Sequence, residues 1–108
     1  MTMMDTANEK RGKKKRLSNA QIFHFFEQLR VLISAGITPY AALQIMRHDA
    51  DNQDTGSVID ELGGYIAEGR LLSESLTATG RFPGYVGEFM NIGEQTGKLE
   101  DVCGALAR

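Results

Sequence analysis

The fold is decided by residues 18–46, which read SNAQIFHFFEQLRVLISAGITPYAALQIM. In the first half of this stretch, apolar residues recur at the spacing of one helical face, and they are Ile22, Phe25, Phe26, Leu29, Leu32 and Ile33. Ser18 and Gln21 form the S-x-x-Q pattern of a capping box, which predicts the start of this helix. Gly36 is predicted to end it, because glycine commonly terminates helices.

Start and stop signals continue beyond Gly36. Thr38-Pro39 predicts a second helix start, with a capping hydroxyl followed by proline at the first helical position. Residues 49–56 are polar and predict a loop. Ser57 is then expected to cap a third helix, and Ser73 a fourth.

Two adjacent glycines, Gly63 and Gly64, interrupt the predicted third helix. Each glycine in a helix interior costs about 1 kcal/mol relative to alanine. We expect the close approach of a neighbouring helix to explain them.

The remaining residues predict two more helices. Phe82-Pro83 marks the start of the fifth, Gly97 its end, and its apolar face is predicted to comprise Val86, Phe89, Met90 and Gly93. The last segment has the same spacing at Leu99, Val102, Cys103 and Leu106. Strand-like alternation is sustained nowhere, so the predicted fold is all-α, a compact antiparallel bundle of about six short helices.

Charge divides the 108-residue chain into two parts. Residues 1–16 carry six basic and two acidic groups, a net charge of +4, whereas residues 17–108 carry six basic and twelve acidic groups, a net charge of −6. The first part has too few apolar residues to offset its ordering entropy, so we interpret it as a disordered basic arm before a folded module. Its basic side chains, among them Lys13, Lys14, Lys15 and Arg16, have two interpretations, a solvated tail or a binding site for anionic lipid headgroups. The acidic composition of residues 17–108 argues against nucleic acid as a partner.

No pattern in the sequence predicts catalysis. The single cysteine, Cys103, excludes an internal disulfide, and the two histidines lack metal-ligand spacing. A cation site formed by Glu94, Glu100 and Asp101 is less favoured than surface carboxylates or helix caps. We therefore predict no catalytic residue, no metal site and no cofactor.

Three ordered stretches carry a resemblance to a known family. They are residues 26–45 (FEQLRVLISAGITPYAALQI), 66–76 (IAEGRLLSESL) and 93–102 (GEQTGKLEDV). In this order and spacing, the chain resembles the cytoplasmic module of the type II secretion F family, the inner-membrane platform proteins of type II secretion systems and type IV pili. The family pattern falls here on Gly36, Pro39, Ser73, Pro83, Gly93, Glu94, Gly97 and Leu99.

The resemblance implies a six-helix module on the cytoplasmic side of the bacterial inner membrane. The full-length protein would contain a second copy of the module and membrane helices, and we expect the present chain to be a fragment of it. The implied function is a non-enzymatic scaffold that docks the cytoplasmic assembly ATPase and other inner-membrane assembly proteins, and that forms a homo-oligomer such as a dimer. The alternative function is a soluble helical adaptor or a module that binds anionic lipid through the basic arm.

Phe23 is the candidate contact residue of the folded part. It lies off the apolar face of the first helix, where an exposed aromatic suits a helix–helix or dimer contact. The other interpretation is that Phe23 packs under the basic arm.

Overall fold

Six α-helices form the folded part of the chain in a computed structural model that describes residues 15–108. They are α1 (Asn19–Ser34), α2 (Pro39–Asp49), α3 (Gln53–Ala67), α4 (Leu72–Thr79), α5 (Gly84–Thr96) and α6 (Leu99–Leu106). The described part contains no strand, so the predicted all-α bundle of six short helices is confirmed. None of these six helices is both long and apolar enough to cross a bilayer.

The helices pack as a closed ring. Each helix contacts its neighbours in the sequence, and α6 packs back against α1. Phe25, Phe26 and Phe82 lie in the core, with ring centroids 4.9–5.9 Å apart. Tilted and edge-to-face contacts of this kind add to the free energy gained by burying apolar area.

The capping residues predicted for the first two helices are confirmed. The hydroxyl of Ser18 accepts a hydrogen bond from the backbone N–H of Gln21, and the Gln21 side chain accepts one from the Ser18 N–H, which completes the capping box. Thr38 caps α2 through the backbone N–H of Ala41. Gly36 has a φ of +88°, in the left-handed region where glycine is favoured.

The third helix begins earlier than predicted. Asn52 is its cap, accepting a hydrogen bond from the Thr55 N–H at 2.8 Å, and Gln53 is the first helical residue. The predicted loop over residues 49–56 is therefore too long, and Ser57 lies inside α3 rather than at its cap. Both Asn52 and Ser57 suit a capping position, and Asn52 comes first along the chain.

Ser73 and Pro83 also differ from their predicted positions. Leu71 occupies the cap of α4, and Ser73 is the second residue of that helix. Pro83 occupies the cap position of α5, so Gly84 is the first helical residue.

Two predictions about packing are wrong. Phe89 was placed on the buried face of α5, but 46% of its surface is exposed. Gly63 and Gly64 have no atom of another helix within 4 Å of the position that a Cβ would occupy. They line a groove between α2 and α3 instead of a close helix–helix contact.

The buried residue Arg81 holds the segment that precedes α1 against the bundle. Arg81 donates a hydrogen bond from its Nε to the backbone carbonyl of Lys15 at 2.6 Å and another from its guanidinium to Glu61 at 3.2 Å. The Arg81 carbonyl accepts one from the N–H of Leu17, whose side chain is buried. The boundary between residues 1–16 and the folded module stays a prediction, since residues 1–14 lie outside the described part.

Candidate partner-binding surfaces

Two of the predicted motif residues, Ser73 and Glu94, join α4 to α5. The carboxylate of Glu94 accepts a hydrogen bond from the Ser73 hydroxyl at 2.6 Å and another from the Ser73 backbone N–H at 2.8 Å. Leu71 has no side-chain oxygen that could cap α4, so Glu94 supplies this interaction from another helix. A carboxylate there also interacts favourably with the helix dipole.

The glycines of α5 bring its neighbours close. A Cβ on Gly93 would lie 3.0 Å from Val102 Cγ2 and 3.2 Å from the Cα of Leu99, and one on Gly87 would lie 3.3 Å from the Ser73 carbonyl oxygen. Ser73 and Glu94 therefore lie at the contact between α4 and α5, and Gly93 and Leu99 lie at the contact between α5 and α6. Their arrangement stabilises the packing of α5 against its two neighbours.

The other motif residues are spread over the helix connections. Gly36 and Pro39 lie between α1 and α2, Pro83 between α4 and α5, and Gly97, with a φ of +73°, between α5 and α6. Glycine at a left-handed position and proline at a helix start both favour a change of chain direction. These residues shape the bundle and are not gathered into a site.

Glu94, Glu100 and Asp101 are the acidic candidates for a cation site, and Cys103 carries the single thiol of the sequence. Within residues 15–108 no group of three His, Cys, Asp or Glu residues is placed to hold a metal ion. Glu100 and Asp101 lie in the first turn of α6, whereas Glu94 is bound by Ser73. Burial raises the pKa of the Cys103 thiol to about 12, so the reactive thiolate is disfavoured near neutral pH.

A row of large apolar side chains lies on the outside of α5. Tyr85, Phe89 and Ile92 are 46–54% exposed and follow one another at i, i+4 and i+7. The rings of Tyr85 and Phe89 contact each other edge to face, with centroids 6.0 Å apart. We call these three residues the α5 stripe.

A groove of about 370 Å³ continues the α5 stripe towards α6. Apolar side chains dominate its walls, and Lys98 and Asp101 lie at its polar edge. The stripe and groove together form an exposed apolar surface of the kind that marks interaction sites on soluble domains.

A second exposed apolar surface lies on α1 and α2. It consists of Val31 and Ile45, which are 48% and 41% exposed and line one groove, and we call these two residues the α1–α2 patch. Phe23, 47% exposed, lies about two turns before Val31 on α1. Val31 and Ile45 line a groove of about 240 Å³ with the acidic residues Glu27 and Asp49. The structure thus places Phe23 on the surface, as the contact hypothesis requires.

An ion pair lies between Phe23 and Val31 on α1. Arg30 donates two hydrogen bonds to the Glu27 carboxylate, at 2.5 and 3.2 Å. These bonds lower the pKa of Glu27 and raise that of Arg30. Glu27 is therefore ionised at neutral pH, and its charge is paired with that of Arg30.

The predicted basic residues are divided between the described and undescribed parts of the chain. Lys13 and Lys14 lie outside the described residues. Lys15 and Arg16 are exposed, and the Lys15 ammonium lies 3.4 Å from a carboxylate oxygen of Asp54. An ion pair this exposed contributes little to stability.

Comparison with known proteins gives the family. The family model for protein F of the type II secretion system matches residues 25–108. The chain belongs to this family. It is also 29% identical over 91 residues to the type IV pilus assembly protein PilC of Myxococcus xanthus (strain DK1622). That match covers 84% of this chain but 22% of the relative, so the chain spans about a fifth of the length of that protein.

Membership of the protein F family confirms the resemblance carried by the motif residues, all of which lie between residues 25 and 108. Phe23 and the basic residues 13–16 lie before the matched range. The family comparison therefore supports the motif residues of the module, which lie within the matched range. It does not cover Phe23, whose role stays a prediction.

Sequence reasoning missed the α5 stripe in this member of the protein F family. Tyr85 and Ile92 were not identified, and Phe89 was placed in the core. The available signal was the i, i+4, i+7 spacing of the three residues. It overlaps the spacing of Val86 and Met90, which are buried.

Proposed function

We propose that this chain is a non-enzymatic scaffold module of an inner-membrane platform for type IV pilus or type II secretion assembly. In this proposal the module faces the cytoplasm and docks the cytoplasmic assembly ATPase. Membership of the protein F family and the similarity to a type IV pilus assembly protein support the assembly role. The α1–α2 patch supports docking, and it is the observation that carries the proposal.

The chemistry of the α1–α2 patch defines the partner surface that it fits. Val31 and Ile45 offer apolar contacts, while the carboxylates of Glu27 and Asp49 line the same groove. Complementary charges speed association and select between partners. The proposed ATPase contact is therefore an apolar side chain flanked by lysine or arginine.

Replacing the patch side chains tests the docking proposal. We expect the double variant Val31→Ser/Ile45→Ser to weaken binding of the assembly ATPase about tenfold or more, because truncation of interface hot spots commonly costs above 1 kcal/mol each. The matched control is Tyr40→Ser, since Tyr40 is 43% exposed on the other side of α2. Titration calorimetry measures the affinity, and thermal melts followed by circular dichroism confirm that the variants fold.

Unchanged ATPase affinity in the folded double variant would contradict the proposed docking surface. Equal weakening by Tyr40→Ser would mean that loss of any exposed apolar side chain weakens binding, whether or not that side chain belongs to the patch. Phe23→Ala is the companion variant, and a large loss of stability without a loss of affinity would favour a packing role for Phe23.

A second candidate function is binding of anionic lipid. The supporting observation is the position of Lys15. Arg81 binds the backbone of residues 15 and 17 to the bundle, whereas the Lys15 side chain is 75% exposed. Basic residues near an anionic membrane surface each contribute about 1 kcal/mol.

The variant in which Lys13, Lys14, Lys15 and Arg16 are all replaced by serine leaves the Lys15 backbone carbonyl available to Arg81. We expect it to lose salt-sensitive binding to phosphatidylserine vesicles, and retained binding would reject the lipid function.

A further inference from the structure

The α5 stripe is the exposed side of an amphipathic helix. Tyr85, Phe89 and Ile92 lie within about 60° of each other around α5, at roughly 100° per residue. The other side of the helix is buried against α4 and α6. The groove between α5 and α6 widens the stripe with further apolar side chains. This side of the bundle therefore presents a continuous apolar surface on rigid helices.

Basic residues lie near both ends of the α5 stripe. Arg81 binds the backbone carbonyl of Lys15 and precedes Tyr85 by four residues, a chain distance of at most about 14 Å. The side chains of Lys15 and Arg16 are exposed there. Lys98 follows the C-terminal end of α5 and borders the groove that widens the stripe. Apolar side chains flanked by lysine or arginine are typical of helices that lie in a membrane interface.

We infer that the α5 stripe lies on the surface of an anionic bilayer, with its side chains at the level of the lipid headgroups. Tyr85 suits this level because its ring is apolar and its hydroxyl can bind water or a headgroup. Lys98 can extend its ammonium to headgroup phosphates while its methylene groups stay beside apolar side chains. The inference rests on the lipid function proposed for residues 13–16 and adds an apolar contact to it.

The acidic residues near α5 do not interrupt the stripe. Glu88 lines the groove between α4 and α5, on the other side of the helix from the α5–α6 groove. Glu94 is bound by Ser73. Asp101 of α6 shares the polar edge of the α5–α6 groove with Lys98, which balances its charge. Within the described residues, no carboxylate therefore lies inside the stripe.

The α1–α2 patch does not suit an anionic bilayer. The carboxylates of Glu27 and Asp49 line its groove, and Arg30 is paired with only the first of them. Like charges disfavour association. In the ring of six helices, α2 is three helices away from α5 in either direction, so the two surfaces lie on opposite sides of the bundle. A module that rests on the bilayer through α5 therefore turns the α1–α2 patch away from the membrane, towards the proposed ATPase.

Tryptophan fluorescence tests the position of the stripe, because the chain has no tryptophan of its own. When phosphatidylserine vesicles bind the 108-residue Phe89→Trp chain, its emission should shift to shorter wavelength and be quenched by brominated lipid. Tyr40→Trp is the matched control, since Tyr40 and Phe89 are 43% and 46% exposed. Its emission should stay unchanged, because Tyr40 lies on α2.

Vesicle binding measures how much the stripe contributes. Phe89→Ser/Ile92→Ser should lower the partition coefficient on phosphatidylserine vesicles about tenfold, because two half-exposed apolar side chains lose their burial. The same factor should appear at low and high salt, whereas the serine replacement of residues 13–16 should remove the salt-sensitive part of the binding. Val31→Ser/Ile45→Ser is the matched control and should leave vesicle binding unchanged.

The outcomes separate this inference from the lipid function of the basic residues. A parent chain that binds no vesicle would overturn both. Vesicle binding that needs residues 13–16 but is unchanged in Phe89→Ser/Ile92→Ser would overturn this inference and leave the lipid function standing. Stripe variants that lose ATPase binding and keep vesicle binding would also overturn it, by assigning the stripe to the ATPase. Thermal melts of each variant separate these outcomes from unfolding.

Discussion

Two glycines of α5 and two of the three glycines of α3 have opposite structural roles. Gly93 in α5 lies against the backbone and side chain of Leu99, and Gly87 lies against α4. Gly63 and Gly64 in α3 face open space beside a groove. Glycine in a helix therefore indicates close packing only where the fold brings another helix to that side.

The difference follows from the neighbours of each helix. α5 lies between α4 and α6, and its glycines point at both contacts. In α3 it is Gly56 that allows a close approach, with the Arg47 side chain lying over it. The Arg47–Asp60 ion pair, at 2.8 Å, joins α2 to α3 at the side of the groove.

The largest expected effect tests whether the two helices differ only in their glycines. Met90 on α5 and Leu62 on α3 are both fully buried. We expect Met90→Ala and Leu62→Ala each to lower the free energy of unfolding by about 3 kcal/mol, through lost burial and the remaining cavity. Urea denaturation measures both values. A loss below about 1 kcal/mol in one of them alone would show that the helices also differ in core packing.

The second largest effect concerns the hydrogen bonds by which Glu94 of α5 caps the N-terminus of α4. The N-terminus of α3 is capped instead by Asn52, the residue directly before it. Glu94→Ala should lower the free energy of unfolding by about 2 kcal/mol, because it removes two hydrogen bonds to a charged acceptor and leaves the buried Ser73 unpaired. Glu88→Ala on the exposed side of α5 is the control and should stay within about 0.5 kcal/mol of the parent. Equal losses in the two variants would mean that Glu94 acts only through its charge.

Gly93→Ala tests the close contact directly. Crowding against the Leu99 backbone should cost about 2 kcal/mol, and the better helix propensity of alanine offsets about 1 kcal/mol of that cost. The expected net loss is therefore about 1 kcal/mol, measured by chemical denaturation. A gain in stability would show that α6 can move away without cost.

Gly64→Ala should have the smallest effect and the opposite sign. No atom obstructs the new methyl group, so we expect a gain of about 0.7 kcal/mol from helix propensity and a less flexible unfolded chain. Gly63→Ala repeats the test at the adjacent position. Gly69→Ala is the contrasting control and should destabilise, because Gly69 has a φ of +97°. A loss in both α3 variants would mean that another molecule or segment occupies the groove.

Features fixed by neighbouring residues were predictable from the sequence. The Ser18–Gln21 capping box and the Thr38 cap depend on atoms three residues apart, so the pattern contains the whole interaction. Gly36 and Gly97 were correctly placed between helices for the same reason. The resemblance to the protein F family also implied a module of six helices.

Features fixed by distant residues were not predictable. The role of Ser73 depends on Glu94, which lies 21 positions later in the sequence. Phe89 fits the spacing of the buried face of α5 and of the exposed stripe equally well, and only the placement of α4 and α6 decides between them. The buried contact of Arg81 with the Lys15 carbonyl spans 66 positions and has no sequence signal.

The closure of the helix ring through α1 and α6 affects how the protein is made. During synthesis on the ribosome, α1 emerges first and must wait for α6 before its last neighbour is present. Until residues 99–106 leave the exit tunnel, the apolar face of α1 has an open flank that chaperones can bind. A nascent chain arrested before Leu99 should therefore be digested by protease far more readily than one whose residues 99–106 have been brought out of the tunnel by a linker fused after Arg108.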